Sequence, residues 1–165
     1  MRDGSLHTDG THPVIRFERH LKRPPADVWR ALVDRDGLRH WFPSDIVTDE
    51  WKPGAILRFP FREGQGPTFT GTVLEYDEPR LLAYTWGEET LRFELTPEPD
   101  GTRLVFTDEL DGPIAARNAA GWDVCLDMLA GDSPARDAWK PRFDHYTARF
   151  EPELGPQEGP PKAAS

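Results

Sequence analysis

The sequence predicts a single α+β domain, a curved antiparallel sheet of about six to seven strands wrapped around a long C-terminal helix, with two short helices after the first strand. Three observations predict it. The middle of the chain alternates apolar and polar residues in short runs split by Gly, Pro and Asp turns, so neighbouring strands are antiparallel. Two stretches of helical spacing separate the first strand from that run. After Gly112-Pro113 the apolar period changes to that of a helix and stays there. A sheet with one wet face must cover the other, and the late helix is the largest apolar surface available to do so.

The elements follow in order. Residues 1–13, rich in Gly, Asp, Thr and His, read as a flexible N-terminus. Val14 to Leu21 is a half-buried strand, with Ile15, Phe17 and Leu21 on one face and Arg16, Glu18 and His20 on the other. Pro24-Pro25 ends it and can open a helix, where the missing N–H costs nothing. Val28, Trp29, Leu32 and Val33 then recur at helical spacing through Asp34. A second helix is expected from Asp36, a capping residue type, to Phe42, with Pro43 as its stop. Strands are expected at Ile46–Trp51, Ile56–Phe61, Thr68–Tyr76, Leu81–Trp86, around Leu91, Phe93 and Leu95, and at Thr102–Leu110. The short turns between them make a meander. Ile114 to Leu129 fits a helix through Ala115, Ala119, Trp122, Cys125 and Leu126, with Gly131 as a C-terminal cap. Ala135 to Phe150 repeats Trp139, Phe143, Tyr146 and Phe150 on one helical face. The domain therefore spans 14–150. Residues 151–165, with four prolines and two glycines from Pro152 on, read as a disordered tail.

Composition narrows the function. The 165 residues suit one domain, and a chain of this size buries roughly 70% of its unfolded surface without a disulfide or metal. Twenty basic residues against 29 acidic ones leave a net charge of −9, which repels phosphate backbones and argues against nucleic-acid binding. No apolar run reaches the length of a membrane span, and no signal-peptide core opens the chain. With one cysteine, Cys125, the reading is a cytoplasmic protein. His7, His12, His20, His40 and His145 show no metal-binding spacing, so no metal and no cofactor are expected. Neither a nucleophile elbow nor a phosphate-binding glycine loop occurs.

Three stretches carry a resemblance. They are Pro24-Pro25-Ala26-Asp27-Val28-Trp29-Arg30-Ala31-Leu32 with Leu38-Arg39-His40-Trp41-Phe42, then Gly71-Thr72-Val73-Leu74-Glu75-Tyr76-Asp77-Glu78-Pro79-Arg80-Leu81-Leu82-Ala83-Tyr84-Thr85-Trp86, and Ala120-Gly121-Trp122-Asp123-Val124-Cys125-Leu126-Asp127-Met128-Leu129. With the element order, they resemble the SRPBCC superfamily of START-like, helix-grip domains. Within it, the chain resembles the branch related to the C-terminal domain of the activator of the heat-shock-protein-90 ATPase. The resemblance implies the fold. It also implies a range of roles, from carriers of small molecules and lipids through polyketide cyclases and aromatases to chaperone-activating domains. The chaperone activator has a further N-terminal domain, for which the residues before Val14 leave no room, so chaperone activation is not expected.

One amphipathic helix cannot fill a wide curved sheet, so a cavity is expected between them. Its walls are Phe59, Phe61, Phe69, Trp86, Phe93 and Phe106 on strands, Trp122, Leu126 and Leu129 on the long helix, and Trp41 and Phe42 near the mouth. Polar residues that could orient a ligand are Arg58, Glu75, Tyr84, Asp108 and Asn118. Asn118 is singled out because it lies one turn before Trp122 and a buried amide needs partners. A core filled by these rings is the alternative, and sequence does not separate the two. The reading is non-enzymatic binding of a hydrophobic small molecule or lipid. A cyclase- or aromatase-like enzyme and a protein-interaction module, as a homodimer or with another partner, are the rivals.

Overall fold

The computed structural model describes residues 3–60 and 68–159. Seven strands form one antiparallel sheet in the order β1-β2-β7-β6-β5-β4-β3. They are β1 (Ser5–His7), β2 (Val14–Leu21), β3 (Ile56–Phe59), β4 (Phe69–Asp77), β5 (Leu81–Trp86), β6 (Glu89–Glu98) and β7 (Gly101–Glu109). From β3 to β7 the sheet is the expected meander, and β2 closes against β7 through eight paired residues, Val14↔Glu109 to Leu21↔Thr102. Gly71 allows β4 to lie against β5, since a Cβ there would stand 1.8 Å from the Thr85 carbonyl oxygen.

Helices α1 (Pro25–Val33) and α2 (Arg35–Arg39) follow β2. A 3-10 turn at Gly112–Ile114 leads into α3 (Ala115–Leu129), and α4 (Trp139–Leu154) packs on α3. Helix α3 lies over the concave face of the sheet, where Trp122 meets Phe106 of β7 at a ring separation of 4.9 Å. Pro141 takes the third position of α4, where the amide has no intrahelical acceptor to lose.

Several boundaries differ from expectation. The strand expected at Ile46–Trp51 reduces to one bridge, Val47 with Arg58, because the chain leaves the ladder where the Thr48 hydroxyl donates to the Glu50 carbonyl. Helix α2 stops at Arg39, and Trp41 and Phe42 continue only as a turn on the Leu38 carbonyl. The last helix starts at Trp139 rather than Ala135 and runs on to Leu154. Segments that the sequence marks as flexible carry packed residues. Strand β1 pairs with β2, and Gln157 accepts from the Ala116 amide at 2.8 Å and donates to the Gly112 carbonyl at 3.0 Å.

The inward register of β2 includes a residue outside its expected apolar face. Arg19 shares the face of Phe17 and Leu21 and is buried. Its Nη2 meets Asp123 Oδ1 at 2.6 Å and stands 3.9 Å from Asp127 Oδ1, both on α3. From α4, Arg142 Nη2 meets Asp127 Oδ2 at 2.8 Å, and the Tyr146 hydroxyl donates to Asp123 Oδ2 at 2.9 Å. The Gly4 amide donates to the same Tyr146 oxygen. Burying these charges is tolerable only because each is matched, and the match ties β2, α3, α4 and the N-terminal segment together. Arg19→Met is expected to cost about 3–5 kcal/mol in urea unfolding, because Asp123 keeps its burial and loses its nearer cation, leaving only Arg142 Nη1 at 3.6 Å. Adding Asp123→Asn is expected to recover part of that loss. A cost for Arg19→Met no larger than that of a surface substitution would contradict the assignment.

Candidate functional site

The alternation of β7 places Leu104, Phe106 and Asp108 on one inward row. In register, Asp108 stands between Ile15 of β2 and Leu91 of β6. Glu89 lies two residues before Leu91 and so shares its face, opposite Trp86 across the Gly87-Glu88 turn. From above, α3 supplies Asn118 and, one turn later, Trp122. The result is a polar set inside the rim of an apolar hollow.

Its bonds are short. Trp122 Nε1 donates to Asp108 Oδ2 at 2.8 Å, and Asn118 Nδ2 donates to Glu89 Oε1 at 2.7 Å. Asp108 Oδ1 receives no donor from the described residues, and neither does the buried Trp86 Nε1 find an acceptor. The group beside Asp108 is the Glu89 carboxyl, which is an acceptor until it holds a proton. Burial, followed by the charge of Glu89, drives the Asp108 carboxyl well above the usual carboxylate range. Burial raises Glu89 as well, although its bonds to Asp108 and Asn118 pull the other way. Two coupled carboxyls both raised in this way are expected to share one proton at pH values where ordinary carboxylates are ionised.

The expected wall residues come together, and they fill the middle of the hollow. Trp41, Phe42, Phe59, Phe93, Phe106, Trp122, Leu126 and Leu129 are 0–3% exposed. A void large enough for a ligand would leave such walls accessible, so the space between Trp122 and the sheet is occupied by side chains. The rings form a continuous chain. Trp122 meets Trp86 at 5.1 Å and Phe42 at 5.7 Å, Trp86 meets Phe69 at 5.5 Å, and Phe93 meets Phe106 at 4.8 Å. Phe69, Trp86 and Asn118 are half-buried, at the end where Glu89 and Asp108 lie. Phe61 lies outside the described residues.

The five polar candidates divide. Arg58 and Glu75 are exposed on the outer face, with Glu75 paired to Arg92. Tyr84 is buried, and burial pushes its hydroxyl far above the ordinary tyrosine range, so it stays neutral. Asp108 and Asn118 belong to the site. Glu89 was not among the candidates, although it has the same parity as Leu91, Phe93 and Leu95. Among the described residues, no group of three or more His, Cys, Asp or Glu could hold a metal ion, and no helix is long and apolar enough to cross a membrane.

An antiparallel sheet gripping one long helix, with two short helices after its first long strand, is the helix-grip fold of the SRPBCC superfamily. Within it, the chain belongs to the family described as Activator of Hsp90 ATPase homolog 1-like protein, whose model matches residues 22–131. Among solved structures, it is similar to a conserved protein of unknown function from Enterococcus faecalis. That match is 23% identical at a TM-score of 0.78 and covers 90% of this chain and 91% of that one. CalU16 from Micromonospora echinospora is 21% identical at 0.66, over 88% and 93% of the two chains. An AHSA1-like protein from Aeromonas hydrophila is 22% identical at 0.60, over 72% and 90%. These likenesses establish the fold. One curated relative, "Probable acyl-activating enzyme 18, peroxisomal" from Arabidopsis thaliana, is 29% identical over 86 residues, which are 46% of this chain and 12% of that protein.

The shared proton fixes a pH dependence. A carboxyl raised in the folded state stabilises the fold below its unfolded pKa, and that stability is lost as pH rises through the folded value. Asp108→Asn keeps an acceptor for Trp122 and gives Glu89 a permanent N–H donor. The variant is therefore expected to melt several degrees above the parent at about pH 8, with the gap closing towards about pH 4.5. A variant less stable than the parent at the higher pH would contradict the shared proton.

Proposed function

We propose that the chain binds a small, largely apolar molecule carrying one hydrogen-bonding group, at the half-buried end of the hollow where Phe69, Trp86 and Asn118 meet the Glu89–Asp108 pair. The observation that carries this is the buried Trp86 Nε1, which has no acceptor among the described residues and stands in the ring cluster whose Trp122 is bonded to Asp108. Buried polar groups are nearly always satisfied, and the exceptions need a reason. Unpartnered atoms also occur at Trp29 Nε1 and Thr147 Oγ1, but those lie on separate helices. At the hollow's end, an unused indole donor and a carboxyl pair border one ring cluster, which suits a flat ligand with a hydroxyl or carbonyl. The rings supply contact area, while the polar pair sets orientation. The ligand sits against the rim because the deeper space is already filled.

A second reading is favoured by the same pair. Two carboxyls with raised pKa values at the rim of an apolar hollow are what a general acid needs near neutral pH. Cyclase-like chemistry on a reactive polycarbonyl substrate would use the shared proton at a substrate oxygen, with the aromatic walls shaping the chain. The binding reading requires only that the pair hold the ligand.

The test uses 2-naphthol as probe and naphthalene as its apolar control. Adding 2-naphthol is expected to shift the indole N–H resonance of Trp86 in NMR spectra, leave that of Trp29 in place, and raise the melting temperature progressively with concentration. Naphthalene should bind more weakly, and Glu89→Gln should narrow the difference. Neither probe moving the Trp86 resonance would overturn the proposal.

A further inference from the structure

A second concavity lies at the opposite end of α3. Its volume is about 720 Å³, within the range of small-molecule sites. Helix α3 ends at Leu129, eleven residues after Asn118, so the two places are about 16 Å apart along the axis at about 1.5 Å per residue. The apolar surface open to the groove comes from half-buried Met128 of α3, over Ala31 of α1, Trp41 after α2 and Leu129 of α3, which are themselves buried. Trp41 is fixed there by a 2.7 Å bond from its Nε1 to the Ala31 carbonyl.

The charges around this floor run against the chain as a whole. The net charge is −9, yet the ionisable groups lining the groove are Lys22, Arg23 and His40 against one carboxylate, Asp132. The carbonyl end of α3 disfavours an anion, but Arg23 Nη2 donates to the Leu129 carbonyl at 2.5 Å and offsets it. Arg23 is itself held in place, since its carbonyl accepts from the buried Thr102 hydroxyl at 2.7 Å. Lys22 and His40 take part in no ion pair among the described residues, so their donors are available to a ligand.

We infer that this groove binds a small amphipathic anion, with its alkyl or aryl body against Met128 and its carboxylate or phosphate monoester at the Lys22–Arg23–His40 rim. Charge complementarity selects this occupant. A neutral apolar molecule would leave the cations unmatched, and an anion without a tail would leave the floor uncovered. The site stands apart from the Glu89–Asp108 end, so either can fail without the other.

Isothermal titration calorimetry with octanoate, 1-octanol, acetate and inorganic phosphate tests it, with anionic phosphatidylglycerol vesicles as a separate arm. Octanoate is expected to bind at least about tenfold more tightly than 1-octanol, a gap of about 1.4 kcal/mol, with acetate and phosphate weaker still. Lys22→Glu, an exposed change, should weaken octanoate by about tenfold without altering the melting temperature. Met128→Trp should block binding by filling the floor, and Asp108→Asn should leave it unchanged. Equal binding of 1-octanol, equal binding of phosphate alone, binding to vesicles without binding to octanoate, or indifference to Lys22→Glu would each overturn the inference.

Discussion

Arg19 projects from the concave face of β2 among Phe17 and Leu21, and its guanidinium lies 2.6 Å from the Asp123 carboxylate on α3. A buried charge of this kind is costly unless it is paired, and losing one partner leaves the other stranded. The ion network therefore fixes where α3 sits on the sheet more sharply than apolar packing does, since apolar surfaces tolerate sliding. With α3 in that place, Trp122 lies one turn before Leu126 on the face that meets Phe106 and Trp86. Its indole N–H then reaches Asp108, and Asn118 reaches Glu89. Tyr146 and Arg142 extend the constraint to α4.

The two ends of α3 place opposite chemistry over one apolar core. At its first turns two carboxyls carry pKa values raised by burial, an arrangement that works against stability at neutral pH. Folds keep such features where a site needs them more often than where packing alone decides. At its last turn the helix meets cations, one of which is spent on the helix itself. The filled centre separates these ends. A molecule entering from either side meets packed rings such as Phe93 and Trp41, 6.0 Å apart, before it could cross.

Much of the fold was legible because its periods are clean. Leu91, Phe93 and Leu95 can only be one face of a strand, and Trp139, Phe143, Tyr146 and Phe150 only one face of a helix. Strand β1 was not legible, since three residues with a single apolar member, Leu6, carry no period. Asp108 was visible as an acid on the parity of Leu104 and Phe106. Glu89 was hidden by the adjoining turn, which makes the strand read as starting at Leu91. Arg19 sat in plain view on the parity of Phe17, but its partners lie more than a hundred residues away, and no local pattern reports them. Whether the hollow is open or filled depends on rotamers of rings such as Phe42 and Trp86, which residue types do not encode.

The shared proton is the claim most directly open to measurement. Side-chain ¹³C carboxyl shifts of Asp108 and Glu89, followed from about pH 3 to about pH 9, bracket both the ordinary and the raised range. The account predicts two linked steps, at least one of them well above ordinary carboxyl titration, with that step moving when a hydroxyl-bearing aromatic is added. Both carboxyls losing their protons together near about pH 4, indifferent to the added molecule, would contradict it.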